Sequence, residues 1–348
     1  MILVFRSGST ETQIAHAEQR LREIGLEPHT LRGVERTVIA AIGDERVTTA
    51  EQLASIPGVE NVLPILAPYK LASREVSPVT SVFAIGGNDC QIKPGSTKVS
   101  FGGNFIPVIA GPCSVEGRSQ IIEVAHAVKE AGASALRAGA FKPRTSPYQF
   151  QGLAEEGLEY LAEAREATGL PIVTEVLTPA DVPLIAKYAD CLQVGTRNMQ
   201  NFLLLRACGT VQTPVLLKRG MSATLEEYLL AAEYILTGGN RRVLLCERGI
   251  RTFETYVRNT FALAVIPALK EKTHLPVLAD PSHGTGVRSF VPAMTKAAVA
   301  CGADGILIEV HPDPSKALTD GAQSMSVKDF AVLMKECRAV AQAVGRTM

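Results

Sequence analysis

The sequence has 348 residues, 46% of them hydrophobic, and its 35 acidic residues balance 35 lysines and arginines. A chain of this length can fold as one large globular domain together with a small one. The zero net charge argues against nucleic acid or a membrane surface as the main partner, because proteins that bind either normally carry a basic excess.

The cysteines and the first residues predict a cytoplasmic protein. The chain has seven cysteines, an odd number, without a Cys-x-x-Cys pair, and most of them lie in apolar segments. This pattern is typical of reduced thiols packed in a core. Four apolar residues follow Met1, too few for a signal peptide, and no run approaches the roughly 18 apolar residues that a membrane span needs.

The first 67 residues predict a small ferredoxin-like domain. Helical patterns lie at 10–24 and 49–55, and the strands are "MILVFR", 27–32, "RTVIAAIG" and "VENVLPIL". The order βαββαβ in so short a segment is typical of that fold. Residues 68–97 are irregular and rich in Pro, Gly and Ser, which indicates a linker.

From residue 98 to 348 apolar strands alternate with helical patterns. "KVSFGGNFIPVI" predicts a hairpin around Gly102–Asn104. The strands that follow are "PVIAGPCS", "ALRAGAF", "PIVTEVL", "CLQVGTR", "PVLLKR", "VLLCERG", "PVLADPSH" and "GILIEVH". Eight strands and eight helices in about 240 residues are typical of a (β/α)8 barrel. An open doubly wound sheet is the alternative, but no Gly-rich phosphate motif follows the first strand.

Ionisable side chains follow almost every predicted strand, whereas the amino ends carry mainly Pro, Ala, Gly and Val. Active sites of such barrels lie at the carboxyl ends of the strands, so the asymmetry predicts a site there. For any one of these side chains, a solvated residue at a strand–loop junction is the alternative. The set is Cys113, Arg137, Lys142, Glu175, Arg197, Lys218, Glu247, Arg248, Asp280, His283, Glu309 and His311.

The basic residues of this site predict anionic ligands. Cations that converge at one end of a barrel repel one another unless anions neutralise them. Phosphate and carboxylate are natural partners of Arg and Lys. The cations are Arg137, Lys142, Arg144, Arg197, Lys218 and Arg248.

A second group consists of Cys113, His283, Glu309 and Asp320. One thiolate, one imidazole and two carboxylates can hold a divalent metal ion and leave a position open for substrate. These residues are spread over about 200 positions, so by spacing alone a core cysteine with ordinary loop acids explains them at least as well.

Seven long stretches give the chain a resemblance to a known family. They are "IAGPCSVEG", "ALRAGAFKPRTSPYQFQGL", "QVGTRNMQNFLLL", "LLKRG", "ERGIRTF", "ADPSHGTG" and "EVHPDPSKALTDGAQSM". The chain resembles 3-deoxy-D-arabino-heptulosonate 7-phosphate (DAHP) synthases over residues 98–345, and most closely the type Iβ subgroup. The resemblance implies condensation of phosphoenolpyruvate with erythrose 4-phosphate to DAHP and phosphate, the first step of the shikimate pathway. It also implies one divalent metal ion, such as Mn, Fe, Co or Zn.

The resemblance implies a role for each matching residue. The metal ligands would be Cys113, His283, Glu309 and Asp320. Phosphoenolpyruvate would contact Arg137, Lys142, Arg197, Lys218 and Arg248. The erythrose phosphate would bind Arg144, Thr145 and Ser146, with Arg288 as a further candidate for which a surface arginine is the alternative. Lys142 or a metal-bound water would donate a proton to the alkoxide formed at the aldehyde oxygen. Lys142, Cys113 and His283 would form the catalytic group.

Four more ionisable residues are candidates to support these groups. Asp280 would orient a ligand or a water, Glu175 and Glu247 would hold the arginines or the attacking water, and His311 would lie behind the metal ligands. A purely structural role is the alternative for each.

The first 67 residues resemble the ferredoxin-like extension that in this family mediates feedback inhibition by tyrosine or phenylalanine. A stabilising or oligomerising domain is the alternative. The resemblance also implies a homotetramer.

Three other functions compete with this assignment. The nearest is 3-deoxy-D-manno-octulosonate 8-phosphate synthase, which typically has an Asn-Arg-Ser-Ser type stretch where this chain has "KPRTS". A Schiff-base aldolase would need an isolated, desolvated lysine. A non-catalytic regulatory barrel would be expected to have lost some of the metal ligands.

Overall fold

The computed structural model describes residues 1–33, 36–63, 67–87, 95–144 and 146–348. The chain divides into two compact units, Met1–Pro78 and Val79–Met348. Among the described residues, no helix is long and apolar enough to cross a membrane. The six cysteines within the described ranges are all free thiols.

The first unit contains a four-stranded sheet and two helices. Its strands are β1 (Ile2–Phe5), β2 (Glu27–Arg32), β3 (Thr37–Ile42) and β4 (Val59–Leu63), and its helices are α1 (Glu11–Glu23) and α2 (Ala50–Ala54). The sheet has the order β2-β3-β1-β4 with antiparallel pairs throughout. Capping boxes at Thr10 and Thr49 begin the two helices, because each threonine and the glutamine three residues later satisfy free backbone N–H groups. The predicted βαββαβ order is confirmed.

Two short strands begin the second unit and correct one prediction. β5 (Phe83–Ile85) pairs antiparallel with β6 (Val99–Phe101). The hairpin predicted around Gly102–Asn104 is therefore wrong, since the partner of β6 precedes it in the chain. Gly102 has φ +88° and lies against the carbonyl oxygen of Ser81, so this glycine serves a close backbone approach rather than a hairpin turn.

Eight parallel strands then form a closed barrel, in which β14 pairs with both β13 and β7. They are β7 (Val108–Gly111), β8 (Ala135–Arg137), β9 (Ile172–Val176), β10 (Cys191–Val194), β11 (Val215–Lys218), β12 (Val243–Glu247), β13 (Val277–Ala279) and β14 (Gly305–His311). A short strand, β15 (Met325–Ser326), pairs parallel with the end of β14. The predicted (β/α)8 barrel is confirmed.

Helices follow the barrel strands as the alternating pattern predicts. They are α3 (Arg118–Ala131), α4 (Ala154–Thr168), α5 (Val182–Tyr188), α6 (Phe202–Gly209), α7 (Leu225–Thr237), α8 (Val265–Lys272), α9 (Pro281–Thr285), α10 (Val291–Ala300) and α11 (Val327–Ala343). Two helices, α9 and α10, follow β13, so the second unit has one helix more than the eight predicted within its described residues. The extra helix is a single turn that carries His283.

The barrel core is closed at its amino end by β5 and β6. Ile85, Val99 and Phe101 pack with residues near the start of the barrel strands, such as Ile109 and Leu307. The amino end is therefore filled by apolar side chains, which leaves the carboxyl ends for the polar residues of the site.

Candidate active site

A cavity of about 280 Å³ opens at the carboxyl ends of the barrel strands. Nine of the residues predicted for the site line it: Arg137, Lys142, Arg144, Glu175, Arg197, Lys218, Arg248, His283 and Asp320. Each is contributed by a strand end or by the loop that follows, so the barrel topology brings together residues that are far apart in the sequence.

Cys113, Glu309 and Asp320 offer ligand atoms that all lie within 4.8 Å of one another. The Cys113 thiol donates to Asp320 Oδ2 at 3.3 Å. His283 Nε2 lies 3.4 Å from Glu309 Oε1 and 3.9 Å from Asp320 Oδ2. The structure thus brings the four predicted ligands together. Sulfur, nitrogen and oxygen donors in one buried group fit a borderline divalent ion such as Zn, Fe, Co or Mn.

Asp280 determines how His283 faces this group. Asp280 Oδ1 accepts the backbone N–H of His283 at 3.0 Å, which caps α9, and Oδ2 lies 2.8 Å from His283 Nδ1. Lys218 Nζ donates to Oδ2 at 2.6 Å. Burial would raise the pKa of Asp280, but His283 and Lys218 outweigh it and hold the pKa well below its ordinary value. The ionised carboxylate occupies the Nδ1 side, so Nε2 is the nitrogen that faces Glu309 and Asp320.

Cys113 and Asp320 have shifted pKa values in opposite directions. Burial, followed by the charge of Glu309, raises the pKa of the Cys113 thiol to about 12. Burial would also raise the pKa of Asp320, but His283 and Arg258 lower it to about 2. Because a thiolate is the form that binds metal, a metal ion would release the thiol proton on binding.

Two of the predicted cations contact the same group. Arg137 Nη1 donates to Glu309 Oε1 at 2.8 Å, and Lys142 Nζ donates to the carbonyl oxygen of Cys113 at 3.2 Å. Lys142 Nζ lies 3.9 Å from Glu175 Oε2. Burial would lower the pKa of Lys142, but Cys113 and Glu175 raise it above its ordinary value. Lys142 is therefore an ammonium group at neutral pH.

Arg248 and Arg137 offer donors to a ligand. The Nε atoms of both side chains are buried and lack a hydrogen-bond partner among the described residues. Burial lowers the pKa of Arg248, although it remains a cation. Buried donors of this kind are rare in folded proteins unless a ligand or a water meets them. Both arginines line the cavity.

The loop after β8 carries the residues predicted to bind the second phosphate. Arg144 lines the cavity and its Nε donates to Gln149 Oε1 at 3.1 Å. The Ser146 hydroxyl accepts the backbone N–H of Tyr148 and does not line the cavity. Thr145 lies outside the described residues.

Other predicted residues lie apart from the cavity. Arg288 Nη2 donates to the carbonyl oxygen of Gly321 at 2.6 Å, and the residue lines a separate groove beside α10 and α11. Glu247 accepts from Arg219 Nη1 at 3.0 Å and from the backbone N–H of Gly249 at 2.7 Å, and burial raises its pKa. His311 Nε2 lies 3.2 Å from Glu116 Oε2.

The comparisons with known proteins agree with this geometry. A model of the DAHP synthetase I family matches residues 88–343, and a model of the DAHP synthase ferredoxin-like domain matches residues 1–67. The chain belongs to the DAHP synthetase I family. The assignments to this family and to a ferredoxin-like first domain are confirmed.

Two relatives cover different shares of the chain. The phospho-2-dehydro-3-deoxyheptonate aldolase of Thermotoga maritima is 48% identical over 345 residues, which are 99% of each protein. A 2-dehydro-3-deoxyphosphooctonate aldolase of Nitratidesulfovibrio vulgaris is 34% identical over 251 residues, 67% of this chain and 91% of that protein. The octonate relative therefore matches two thirds of this chain, whereas the heptonate relative matches all of it.

Two solved structures of Thermotoga maritima DAHP synthase are similar to this chain. The first has a TM-score of 0.76 and 47% identity, over 99% of this chain and 98% of that one. The second is a truncated form with a TM-score of 0.71 and 45% identity, over 80% of this chain and 98% of that one.

The structure of this DAHP synthetase I family member also shows site residues that the sequence analysis missed. Arg251, Arg258 and Asn259 line the cavity from the loop after β12, and Gln323 is buried against Glu309. The motif "ERGIRTF" lies at the start of that loop, and its second arginine is Arg251. A signal for Arg251 was therefore present in the sequence, in a stretch already singled out.

Proposed function

We propose that this protein is a DAHP synthase that condenses phosphoenolpyruvate with D-erythrose 4-phosphate and water to give DAHP and phosphate. One observation carries the proposal: a Cys, His, Glu and Asp group adjoins a cavity lined by cations with free donors. The alternative, an octulosonate 8-phosphate synthase, has weaker support because relatives with that name match 67–76% of the chain at no more than 35% identity.

The reaction needs groups of these types. C3 of phosphoenolpyruvate forms the new bond to the aldehyde carbon, so that negative charge builds on the aldehyde oxygen and positive charge at C2. Water then adds to C2, and phosphate leaves from the tetrahedral intermediate. Arg137, Lys218 and Arg248 offset the repulsion between two anionic substrates and hold them in reacting geometry.

Lys142 is the residue that we propose as the general acid. Its ammonium group reaches the edge of the metal group, where Nζ donates to the Cys113 carbonyl. From there the Nζ proton would pass to the alkoxide formed at the aldehyde oxygen.

We propose that Cys113, His283, Glu309 and Asp320 hold one divalent metal ion, which when bound supplies a Lewis acid for the aldehyde oxygen. The convergence of their ligand atoms supports this ligand set. Asp280 keeps the imidazole oriented, and Arg137 forms an ion pair with Glu309.

We propose that Arg144, Thr145 and Ser146 bind the erythrose phosphate, with Arg197 as a further contact for phosphoenolpyruvate. Arg144 and Arg197 both line the cavity, which supports a substrate contact for each. Arg288 remains a prediction for the erythrose phosphate, although its guanidinium lies outside the cavity lining.

The remaining parts of the proposal concern the whole protein. Residues 1–67 would be a regulatory domain that binds tyrosine or phenylalanine, with 68–97 as the linker and 98–348 as the catalytic domain, to which β5 (Phe83–Ile85) also belongs because it packs in the barrel core. We propose that the protein acts in the cytoplasm as a homotetramer. The free thiols of the described cysteines are consistent with a reducing compartment.

A phosphate-release assay tests the activity. Phosphoenolpyruvate is supplied with erythrose 4-phosphate or with a five-carbon aldose phosphate, each with and without EDTA. We expect turnover with erythrose 4-phosphate only, lost with EDTA and restored by Mn²⁺. Preference for the five-carbon substrate would establish the alternative, and activity indifferent to EDTA would refute the metal. Borohydride trapping should give no covalent adduct, and repeating the assay with tyrosine and phenylalanine tests the first domain.

A further inference from the structure

Gln323 bonds both to Glu309, a candidate metal ligand on β14, and to Arg258, on the loop after β12. Its side chain is buried, with 2% of the residue exposed. Gln323 Nε2 donates to Glu309 Oε2 at 2.6 Å, and Gln323 Oε1 accepts from Arg258 Nη1 at 2.9 Å. Both ends of the carboxamide are therefore used, which fixes its orientation.

Arg258 extends this connection to a second carboxylate. Its Nη1 lies 3.4 Å from Asp320 Oδ1 as well as 2.9 Å from Gln323 Oε1. The network Glu309–Gln323–Arg258–Asp320 thus joins a carboxylate on β14 to one on the loop after it. Those two carboxylates and Cys113 already form one compact cluster of ligand atoms.

The hydrogen bond from Gln323 separates the two oxygens of Glu309. Oε2 accepts from Gln323, while Oε1 accepts from Arg137 and lies 3.4 Å from His283 Nε2. Because the carboxylate cannot rotate without breaking these bonds, Gln323 and Arg137 together fix the orientation in which Glu309 faces the imidazole. A ligand carboxylate held in this way keeps its geometry before the metal arrives.

The backbone conformation at Asp320 depends on contacts that this network supplies. Asp320 has φ +49°, in the left-handed region that non-glycine residues rarely occupy. Such a conformation persists only where neighbouring contacts hold it. The ion pair with Arg258 and the backbone bonds from Gln323 and Ser324 to the Asp320 carbonyl are contacts of this kind.

Arg258 is itself fixed in place. Its backbone N–H donates to Thr285 at 2.8 Å, and a side chain at Gly286 would collide with Arg258 Cβ. The next residue, Asn259, donates from Nδ2 to the His283 carbonyl at 2.8 Å. One loop after β12 therefore contacts the segments that carry His283 and Asp320.

We infer that Gln323, together with Arg258, is a positioning residue for the metal site: it presents Glu309 through Oε1 and holds Asp320 beside it. The inference rests on the proposed function, since it concerns the same metal ligands. A competing role exists for Arg258, because its side chain is 41% exposed and lines the cavity, where it could bind a substrate phosphate. Gln323 carries no charge, so replacing it changes the positioning without changing the electrostatic attraction for a cation.

The test measures Mn²⁺ binding to the metal-stripped full-length protein by titration calorimetry, and substrate kinetics at saturating Mn²⁺. We expect Gln323→Met, which is neutral and similar in size, to raise the Kd for Mn²⁺ by about 10- to 100-fold. The KM values for phosphoenolpyruvate and erythrose 4-phosphate should stay within about two-fold of wild type, because no substrate contact is removed. A Kd for Mn²⁺ within about two-fold of wild type would overturn the inference.

Two further variants keep the test decisive. Arg258→Lys keeps the positive charge, but its shorter side chain cannot reach Gln323 and Asp320 as the guanidinium does, so it should weaken Mn²⁺ binding in the same direction; an unchanged Kd with a raised KM for either substrate would instead make Arg258 a substrate ligand and refute the network. Asn240→Leu is the matched control, because Asn240 is a buried amide that bonds the carbonyls of Cys208 and Thr213, before β12 and far from the metal ligands. It should lower the melting temperature and leave the Kd for Mn²⁺ unchanged. If Gln323→Met does not fold, Arg258→Lys decides the question.

Failure of the inference is distinguishable from failure of the proposed function. Wild-type protein that binds Mn²⁺ and turns over erythrose 4-phosphate supports the function whatever the variants do. Wild-type protein that binds no Mn²⁺ removes the metal site itself and overturns both.

Discussion

Asp280, a single buried carboxylate, contacts both His283, a proposed metal ligand, and Lys218, a cation that lines the cavity. It caps α9 through the His283 N–H, lies against His283 Nδ1 and accepts from Lys218 Nζ. Since Asp280 is fully buried, replacing its charge would leave the Lys218 ammonium without its partner. The same side chain therefore supports both stability and the orientation of His283, a proposed metal ligand.

We predict that Asp280→Asn lowers both metal affinity and stability. The amide cannot accept from His283 and Lys218 as the carboxylate does, so the Kd for Mn²⁺ should rise by about 10- to 100-fold. Leaving Lys218 unpaired should lower the free energy of unfolding by about 3–5 kcal/mol. Titration calorimetry and urea denaturation measure the two effects.

Asp304→Asn is the control for Asp280→Asn. Asp304 is also a buried carboxylate, paired with Lys270 at 2.7 Å and with the backbone N–H of Val277 at 3.0 Å. It lies at the amino ends of β13 and β14, so it should lose stability and keep its metal affinity. Equal loss of metal affinity in both variants would show that Asp280 acts only through stability.

At the scale of residues, the sequence alone leads to the candidate metal ligands more readily than to the residues that hold those ligands in place. Cys113, His283 and Glu309 could be proposed because each follows or ends an apolar strand. Gln323 and Arg258 could not, because their roles depend on a contact between loops that are 65 residues apart. Gln323 lies in the quoted stretch "EVHPDPSKALTDGAQSM", but neither residue type is unusual in a loop, so no local pattern marks the contact between the two.

At the scale of elements, the loop after β8 holds Arg144 at the cavity and exposes 97% of Tyr148 to solvent. Pro143 and Pro147 flank the segment and restrict its backbone. A loop that is stiff near its cation loses less entropy when a phosphate binds. This arrangement suits recognition of the end of a substrate that is distant from the reacting carbons.

We predict that Arg144→Ala raises the KM for erythrose 4-phosphate and leaves the KM for phosphoenolpyruvate unchanged. A hydrogen bond to a charged group contributes about 1.5–3 kcal/mol, so the increase should be roughly ten-fold or more. Steady-state kinetics with each substrate varied in turn measures it. Arg118→Ala, which removes only an exposed ion pair with Glu163, should change neither KM. A selective effect of Arg144→Ala on phosphoenolpyruvate would contradict the assignment.

The pair β5 and β6 makes a second prediction at this scale. Phe101 is fully buried at the amino end of the barrel core. Phe101→Ala should therefore lower the free energy of unfolding by about 3–5 kcal/mol, as measured by urea denaturation. Phe105→Ala, at a position that is 45% exposed, should cost much less. Equal effects would mean that β6 does not close the core.

The incorrectly predicted hairpin shows that local sequence signals do not determine which strand pairs with β6. "GGN" after β6 is a strong turn signal, yet β6 pairs with β5, and Gly102 is needed where the chain passes Ser81. Choosing between a following and a preceding partner strand requires long-range packing, which the local sequence does not contain. The barrel strands were predicted more reliably because burial on both faces leaves continuous apolar runs.

At the scale of the whole molecule, the chain consists of two units that each have a core. The first packs residues such as Leu3, Phe5 and Leu21, and the second has the barrel core. Two separate cores predict separate stability for the two units. The order of elements in the first unit and the eight barrel strands of the second could be predicted from hydrophobic periodicity, whereas the effector and the number of subunits could not, because contacts between folded surfaces decide them.

We predict that a chain beginning at Val79 keeps catalysis and loses regulation. Its kcat should stay within about two-fold of wild type, because the cavity and the metal ligands belong to the second unit. Inhibition by tyrosine or phenylalanine, if the full-length protein shows it, should disappear. Phosphate-release kinetics with and without each amino acid measures both effects. Loss of turnover in folded, truncated protein would show that the first unit supports catalysis.

The short strand β15 has a consequence for how the proposed metal site would exchange its ion. Val310 and His311 at the end of β14 pair with Met325 and Ser326, so both ends of the loop between β14 and β15 are held at the carboxyl end of the barrel. Asp320 and Gln323 lie on that fastened loop, which cannot hinge outward as a flap without first breaking the strand pairing. We therefore expect ions to enter and leave through the substrate cavity, so that bound substrate would slow the dissociation of the metal.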